Sequence, residues 1–286
     1  MKFTEAALHE KPQKVLVYGP PKSGKTELVA RLVEAGYNVL WFDMENGWQT
    51  IKTRIDPKYW PQIELFILPD TRENPCAYVT FARAFTMKPI RFCQQHGKIA
   101  CVECTKSAPD AFDTVDLSKV DTNTVVVGDS LTQLSSSAMN NAAKGIDPLS
   151  LERKHYAAQG SHLDALLNAI QQAPFHVAII SHEGAIEGVD SKESIGPVGG
   201  TKNFSLKVPK YFDHVVYTTK VNKEFRAASS ANFNVRIMAG SRSDLAMETG
   251  KCSLADLFRA NPVKGAQTSD VQEETPATPV PPVPQS

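Results

Sequence analysis

Four apolar runs, "KVLVYG", "NVLWFD", "TVVVGD" and "FHVAIIS", stand out along the first two thirds of the chain, each continuous rather than alternating. Runs this short, bounded by turn or polar residues, predict strands buried on both faces, as in a parallel sheet. Between them, "ELVARLVEAG" spaces its apolar residues at helical intervals and closes on Gly36, while "GSHLDALLNAIQQA" carries leucines at the same spacing, so both predict helices packed on that sheet. Later the pattern changes. "YFDHVVYTTK", "KEFRAASS" and "FNVRIMAG" alternate polar and apolar residues over short spans, which predicts an antiparallel extension. The fourth run is expected to end at Ser181, before His182 and Glu183. The glycine-rich "GAIEGVDSKESIGPVGGTKNFSLKVPK" that follows shows no clear periodicity and reads as either a functional or a disordered loop.

The ends of the runs carry the chemistry. The first leads into "GPPKSGKT", residues 19–26, which fits the phosphate-binding spacing G-x-x-x-x-G-K-[ST]. A phosphate chain needs several converging backbone N–H groups, and a loop with permissive residues at Gly19 and Gly24, opening a helix, supplies them. Pro20, Pro21, Lys22 and Ser23 complete the loop. Lys25 is expected to reach the β- and γ-phosphates, and Thr26 to give its hydroxyl to Mg²⁺. The second run ends in Asp43 and Glu45, which either face the ligand crevice at the carboxyl ends of the strands or cap the next helix. In the crevice, Glu45 would activate the water that attacks the γ-phosphate. The third ends in Asp129, the expected Mg²⁺-holding acid, with Ser130 beside it. His182 and Glu183 follow the fourth, where a polar pair could sense the γ-phosphate or His182 could be an ordinary strand-end residue.

Composition narrows the setting. At 286 residues and 42% hydrophobic content the chain can build one large α/β domain, and no apolar run approaches the roughly 20 residues that span a bilayer. The N-terminus lacks the apolar stretch of a signal peptide, so a cytoplasmic protein without a membrane partner is expected. Thirty-one basic residues balance thirty-one acidic ones, so any nucleic-acid contact must be a local patch. Residues 265–286, rich in proline, threonine and acids, read as a disordered tail that is either a solvated end or a contact for a partner protein.

"FCQQHGKIACVECTK" stands apart from this plan. Cys93, His96, Cys101 and Cys104 form two close pairs with Gly97 where a knuckle must turn, a spacing suited to tetrahedral Zn²⁺. The expectation is a structural zinc stapling an insertion at about 90–106, the alternative being small buried residues around a hairpin.

"GPPKSGKT", the "FDMEN" strand end, "VVVGDS" and "IISHE", in this order, resemble the RecA-like ATPase core. More narrowly they are similar to short phage-encoded RecA-like nucleotide-binding proteins, some of them single-strand annealing recombinases; "KVPKYFDHVVY" and "IMAGSRSDL" fit that group's C-terminal pattern. The fold implied is a RecA-like P-loop core, mainly a parallel sheet flanked by helices, with C-terminal antiparallel strands, spanning residues 1–264. The resemblance implies ATP and Mg²⁺ as cofactors, Lys25, Glu45 and Asp129 as catalytic residues, and His182 as the γ-phosphate sensor, where RecA itself keeps a glutamine. It implies single-stranded DNA as partner during recombination, repair or replication in a host cytoplasm, contacted by the loops after Ser130 and Glu183, with Lys192, Lys202, Lys207, Lys210, Lys220, Lys223 and Arg226 gathered near the second, either as its contacts or as an ordinary solvated face. A homo-oligomeric ring or filament is implied too, in which Lys207, Lys210, Lys220 or Arg242 completes a neighbour's site. The adenine would stack on Trp48, Tyr59, Trp60 or Arg54, the alternative being that these residues belong to the core. Two rivals are a helicase-type motor and a nucleotide-dependent assembly switch without DNA. A nucleotide kinase is disfavoured, because only Lys144, Arg153 and Lys154 lie between Leu131 and Pro174, too few for a closing lid.

Overall fold

The apolar runs become the centre of one large sheet. In the computed structural model, which describes residues 11–187, 193–229, 236–242 and 253–258, the runs form β1 (Lys14–Gly19), β2 (Asn38–Asp43), β6 (Thr124–Asp129) and β7 (His176–Glu187). With β3 (Ile63–Ile67), β9 (His214–Val221) and β10 (Glu224–Ala228) the order is β10-β9-β1-β7-β6-β2-β3. β8 (Glu193–Pro197) pairs with β7 and β11 (Gly240–Ser241) with β9. Two shorter strands, β4 (Ile90–Cys93) and β5 (Phe112–Val115), make a separate antiparallel pair. The whole of this lies in one compact unit, Lys11–Ala260. The expected tail at 265–286, Lys192, Cys252 and residues 233–235 of "FNVRIMAG" lie outside the described residues.

Continuity of the runs is explained by burial on both faces, which forces every position of a strand to be apolar. Leu16 and Tyr18 of β1, Val126 of β6 and Val177 and Ile179 of β7 enter one core cluster. Their neighbours Val15 and Val17, Val125 and Val127, and Ala178 and Ile180 enter the other. The first core is covered by helices α3 (Ala77–Ala84), α5 (Leu131–Ala142) and α6 (Arg153–Gln172), the second by α1 (Lys25–Ala30), α2 (Trp48–Arg54) and α8 (Ala255–Phe258). Among the described residues the two remaining helices are α4 (Val102–Ser107) and α7 (Lys202–Ser205). Gly36 ends the turn that continues α1 with φ 92°, a left-handed conformation that needs glycine. Among the described residues no helix is long and apolar enough to cross a membrane.

Three expectations are corrected. β9 is not an antiparallel addition: it pairs in parallel with β1, and only β10 and β11 run antiparallel to it. His214 to Thr218 are all buried, so a strand read as alternating is enclosed on both sides over most of its length. β7 does not stop at Ser181 but continues through His182 to Glu187 and folds back as β8, with Ala185 opposite Ile195. The aperiodic loop therefore begins as a hairpin whose strands are too glycine-rich to show a two-residue pattern. The cysteine-containing insertion also extends past residue 106, because its second strand is Phe112–Val115.

Candidate functional site

Strand register gathers the polar ends of the runs. Gly19 stands opposite His182, and Asp43 opposite Asp129, in neighbouring parallel strands. Because β1, β7, β6 and β2 are adjacent in the sheet, residues far apart in sequence share one edge. That edge is the crevice at the carboxyl ends of parallel strands, where ligands bind in doubly wound sheets.

The loop of residues 19–26 turns sharply there. Gly19 has φ 154° and Gly24 φ 89°, and a Cβ on Gly19 would sit 2.2 Å from the carbonyl oxygen of Thr218 on β9. Ser23 Oγ lies 2.6 Å from Thr218 Oγ1, which fixes the loop to that strand. Lys25 is buried, and its Nζ donates to the carbonyls of Gly19 at 2.9 Å and Pro20 at 2.7 Å. Burial lowers its pKa, opposed by the carboxylates of Asp129, Glu45 and Glu183. Lys22, Ser23, Gly24, Lys25 and Thr26 line a cleft of about 450 Å³ with Glu45, Asp129 and His182.

Asp43 and Glu45 divide the two roles left open for them. Asp43 is a cap: its carboxylate accepts from the backbone N–H of Glu45 and Gly47, both at 3.0 Å, and of Trp48 at 2.9 Å, where α2 begins. The turn so fixed aims Glu45 at the cleft. Ser130 donates its hydroxyl to Glu45 Oε1, and His182 Nε2 lies 3.0 Å from Glu45 Oε2. An ionised Glu45 requires the proton on Nε2, which leaves Nδ1 buried without a partner. Glu45 is thus held by Ser130, just past the end of β6, and by His182 of β7, and it keeps 27% of its side-chain surface exposed toward the cleft.

Thr26 donates to Asp129 Oδ2 at 3.4 Å. A hydroxyl and a carboxylate beside two further acids, with Lys25 the main opposing charge, suit a hard, oxygen-seeking divalent cation. Burial, with Asp43 and Glu45 alongside, pushes the Asp129 carboxyl up to about 8. The folded chain therefore keeps a proton that the unfolded chain has lost, and stability falls as pH rises toward 8. Below about 6.5, His176, whose pKa burial lowers to about 4, works in the opposite sense. Between pH 6.5 and 8 the cation-free protein should lose about 1–2 kcal/mol from Asp129 alone. Asp129→Asn should flatten that slope in pH-dependent thermal melts, and an unchanged slope would show that Asp129 is already ionised.

The base-stacking expectation is redirected. Trp48 and Trp60 line a separate apolar groove with Ile51, Ile63 and Leu65, and Tyr59 packs against the core below α2. Arg54 does reach the nucleotide cleft, but the aromatic there is Phe225 of β10, whose ring would lie 2.9 Å from a Cβ on Gly24. Lys220 Nζ sits 5.1 Å from the centre of that ring, so Lys220 lines its own chain's cleft. No local signal marks Phe225, because only the parallel seating of β9 on β1 brings β10 over the loop. Arg242 is held to Asp213 at 3.5 Å and donates to the Lys210 carbonyl at 3.1 Å.

Away from the cleft, the ligand atoms of Cys93, His96, Cys101 and Cys104 all lie within 4.8 Å of one another, a group that could hold a metal.

No curated protein matches the chain. Among solved structures it is similar to a prototypical ATPase from the type III secretion system of pathogenic bacteria, with 13% identity and a TM-score of 0.44, over 73% of this chain and 51% of that one. The chain thus spans about half of that protein. Residues 11–244 match the family model described as an AAA domain, and with well over half of its length so matched the protein belongs to that family, as a P-loop nucleoside triphosphatase.

Proposed function

We propose that the protein binds ATP with Mg²⁺, hydrolyses it, and uses the cycle to control binding to single-stranded DNA in recombination, repair or replication, working as a homo-oligomer in the cytoplasm of a cell hosting a phage. The observation that carries the hydrolytic part is the double hold on Glu45 by Ser130 and His182, beside the loop that ends in Lys25 and Thr26. A general base must be oriented before it is useful, and a carboxylate gripped at both oxygens has few orientations left. Thr26 and Asp129 would hold Mg²⁺, which supplies charge neutralisation at the β- and γ-phosphates. Lys25 would leave the loop carbonyls for those phosphates, and His182, bonded to Glu45, would report whether a γ-phosphate is present.

The DNA part is supported by a set of exposed cations: Lys202 on α7, Lys207 and Lys210 just after it, and Lys223 at the β9–β10 turn. Arg226 is paired with Glu224 at 3.5 Å. Phosphate contacts made by such residues release counterions and weaken with salt.

Steady-state ATPase rates with and without single-stranded DNA, at low and moderate salt, test this reading. Stimulation that fades with salt is the expected result. A rate indifferent to DNA, with nucleotide-dependent oligomers intact, would replace it with an assembly switch, and strand separation coupled to hydrolysis would replace it with a helicase motor.

A further inference from the structure

The four residues Cys93, His96, Cys101 and Cys104 take no part in the nucleotide cleft, yet they are built as carefully. β4 ends on Cys93, the chain reverses through Gly97 and Ala100 with φ of 63° and 52°, and α4 opens at Cys101 with Cys104 in its first turn. The three cysteines are at most 3% exposed. Their Sγ atoms converge on a single atom, Nδ1 of His96, at 3.9 Å for Cys93, 3.5 Å for Cys101 and 3.3 Å for Cys104. All three thiols are free.

As hydrogen bonding this arrangement is poor. A neutral imidazole nitrogen offers one lone pair, so it can accept from only one of the three thiols, and Cys104 alone has a second acceptor, Gln95 Oε1 at 3.7 Å. As coordination it is complete. Zn–S bonds of about 2.3 Å and a Zn–N bond of about 2.0–2.1 Å at tetrahedral angles set each N···S edge at roughly 3.5 Å, the middle of the three separations. Cys76, the other buried cysteine of this region, is not a fifth ligand. Its sulfur lies 3.2 Å from the Pro69 carbonyl oxygen and 2.9 Å from that of His96, so its single S–H is shared between these two acceptors.

Those contacts indicate what a metal would hold. The His96 carbonyl also accepts from Asn74 Nδ2 at 3.1 Å, and the Gly97 carbonyl from Thr80 Oγ1 at 2.7 Å. Gly97 itself packs so closely on Leu68 that a Cβ there would lie 3.1 Å from the Leu68 Cα. Leu68 in turn donates its N–H to the Asp43 carbonyl at 2.8 Å, at the root of the turn that aims Glu45. The knuckle is thus the outer brace of the segment between β3 and α3.

We infer that Cys93, His96 through Nδ1, Cys101 and Cys104 bind one Zn²⁺ in a closed structural centre, and that this centre fixes residues 68–80 against the sheet. Loading would convert the three thiols to thiolates and release their protons. With four protein ligands no position remains for a reacting water, so the centre is a staple for a subdomain too small to hold itself together.

The full-length protein, purified without added metal, should carry about one zinc per chain by elemental analysis. Exchange with Co²⁺ should give the visible absorption of tetrahedral cobalt and its thiolate charge-transfer bands. His96→Cys should retain the metal, while His96→Ala should lose it. On chelation, amide hydrogen exchange should accelerate in residues 68–80 and 90–115 but not in β6. A folded protein that holds no zinc and takes up no Co²⁺ would overturn the inference, and octahedral cobalt spectra would overturn the ligand set. Zinc present with exchange in 68–80 unchanged by chelation would overturn the bracing role. Because metal content, cobalt spectra and exchange are read without nucleotide, failure here is separable from failure of the ATPase reading.

Discussion

Glu45→Gln should lower the ATP turnover number by about 10²- to 10⁴-fold, the usual worth of a positioned general base, and leave ATP affinity within a small factor of wild type. The substitution keeps the side chain's shape and an oxygen that can accept from Ser130 or His182, so the turn set by Asp43 should survive. What it removes is the ability to take a proton from water. Single-turnover hydrolysis measured beside equilibrium binding of a fluorescent ATP analogue separates the two effects. Normal hydrolysis in the variant would assign the base elsewhere, and a matching loss of affinity would make Glu45 a binding group rather than a catalytic one.

Lys25→Met should act at the earlier step. Charge-assisted hydrogen bonds are worth about 1.5–3 kcal/mol each, so losing one to the phosphates should weaken ATP binding by about tenfold to a hundredfold. The variant also deprives Glu45 and Glu183 of the cation that offsets them in the cleft. Repulsion among these acids should then add to the loss for a tetra-anionic ligand, and hydrolysis should fall with binding. Titration calorimetry with ATP and Mg²⁺ reads the affinity, and melting of the unliganded variant shows whether loss of the bonds to Gly19 and Pro20 alone disturbs the fold. Wild-type affinity in a folded Lys25→Met protein would remove the loop from the binding site.

How much of this was legible before the fold depends on the range over which each feature is decided. "GPPKSGKT" is a local device: its glycines, lysine and threonine act within one turn of backbone, so spacing alone identifies it. The ends of β2 and β6 were readable because burial on both faces leaves an unbroken apolar run, which makes the polar residue that stops it conspicuous. Asp43 and Glu45 could not be told apart in this way, since both sit past the same run and only the hydrogen bonds of the turn make one a cap and the other a cleft residue. The extension of β7 through His182 into a hairpin was hidden by glycines and by partners that come from the returning strand.

The sequence by itself determined the glycine-lysine loop of the P-loop fold, the parallel sheet that carries it and the close Cys/His pairs that could hold a metal, because each is written in spacings of a few residues that the backbone's own geometry converts into proximity. Only the tertiary structure decided that β9 lies parallel to β1, that Phe225 and Lys220 of its hairpin reach the loop, that Ser130 and His182 share Glu45, and that the knuckle braces residues 68–80. Those contacts join positions separated by tens to hundreds of residues, and what selects them is the order and register of strands in the sheet, a property of the whole packed core.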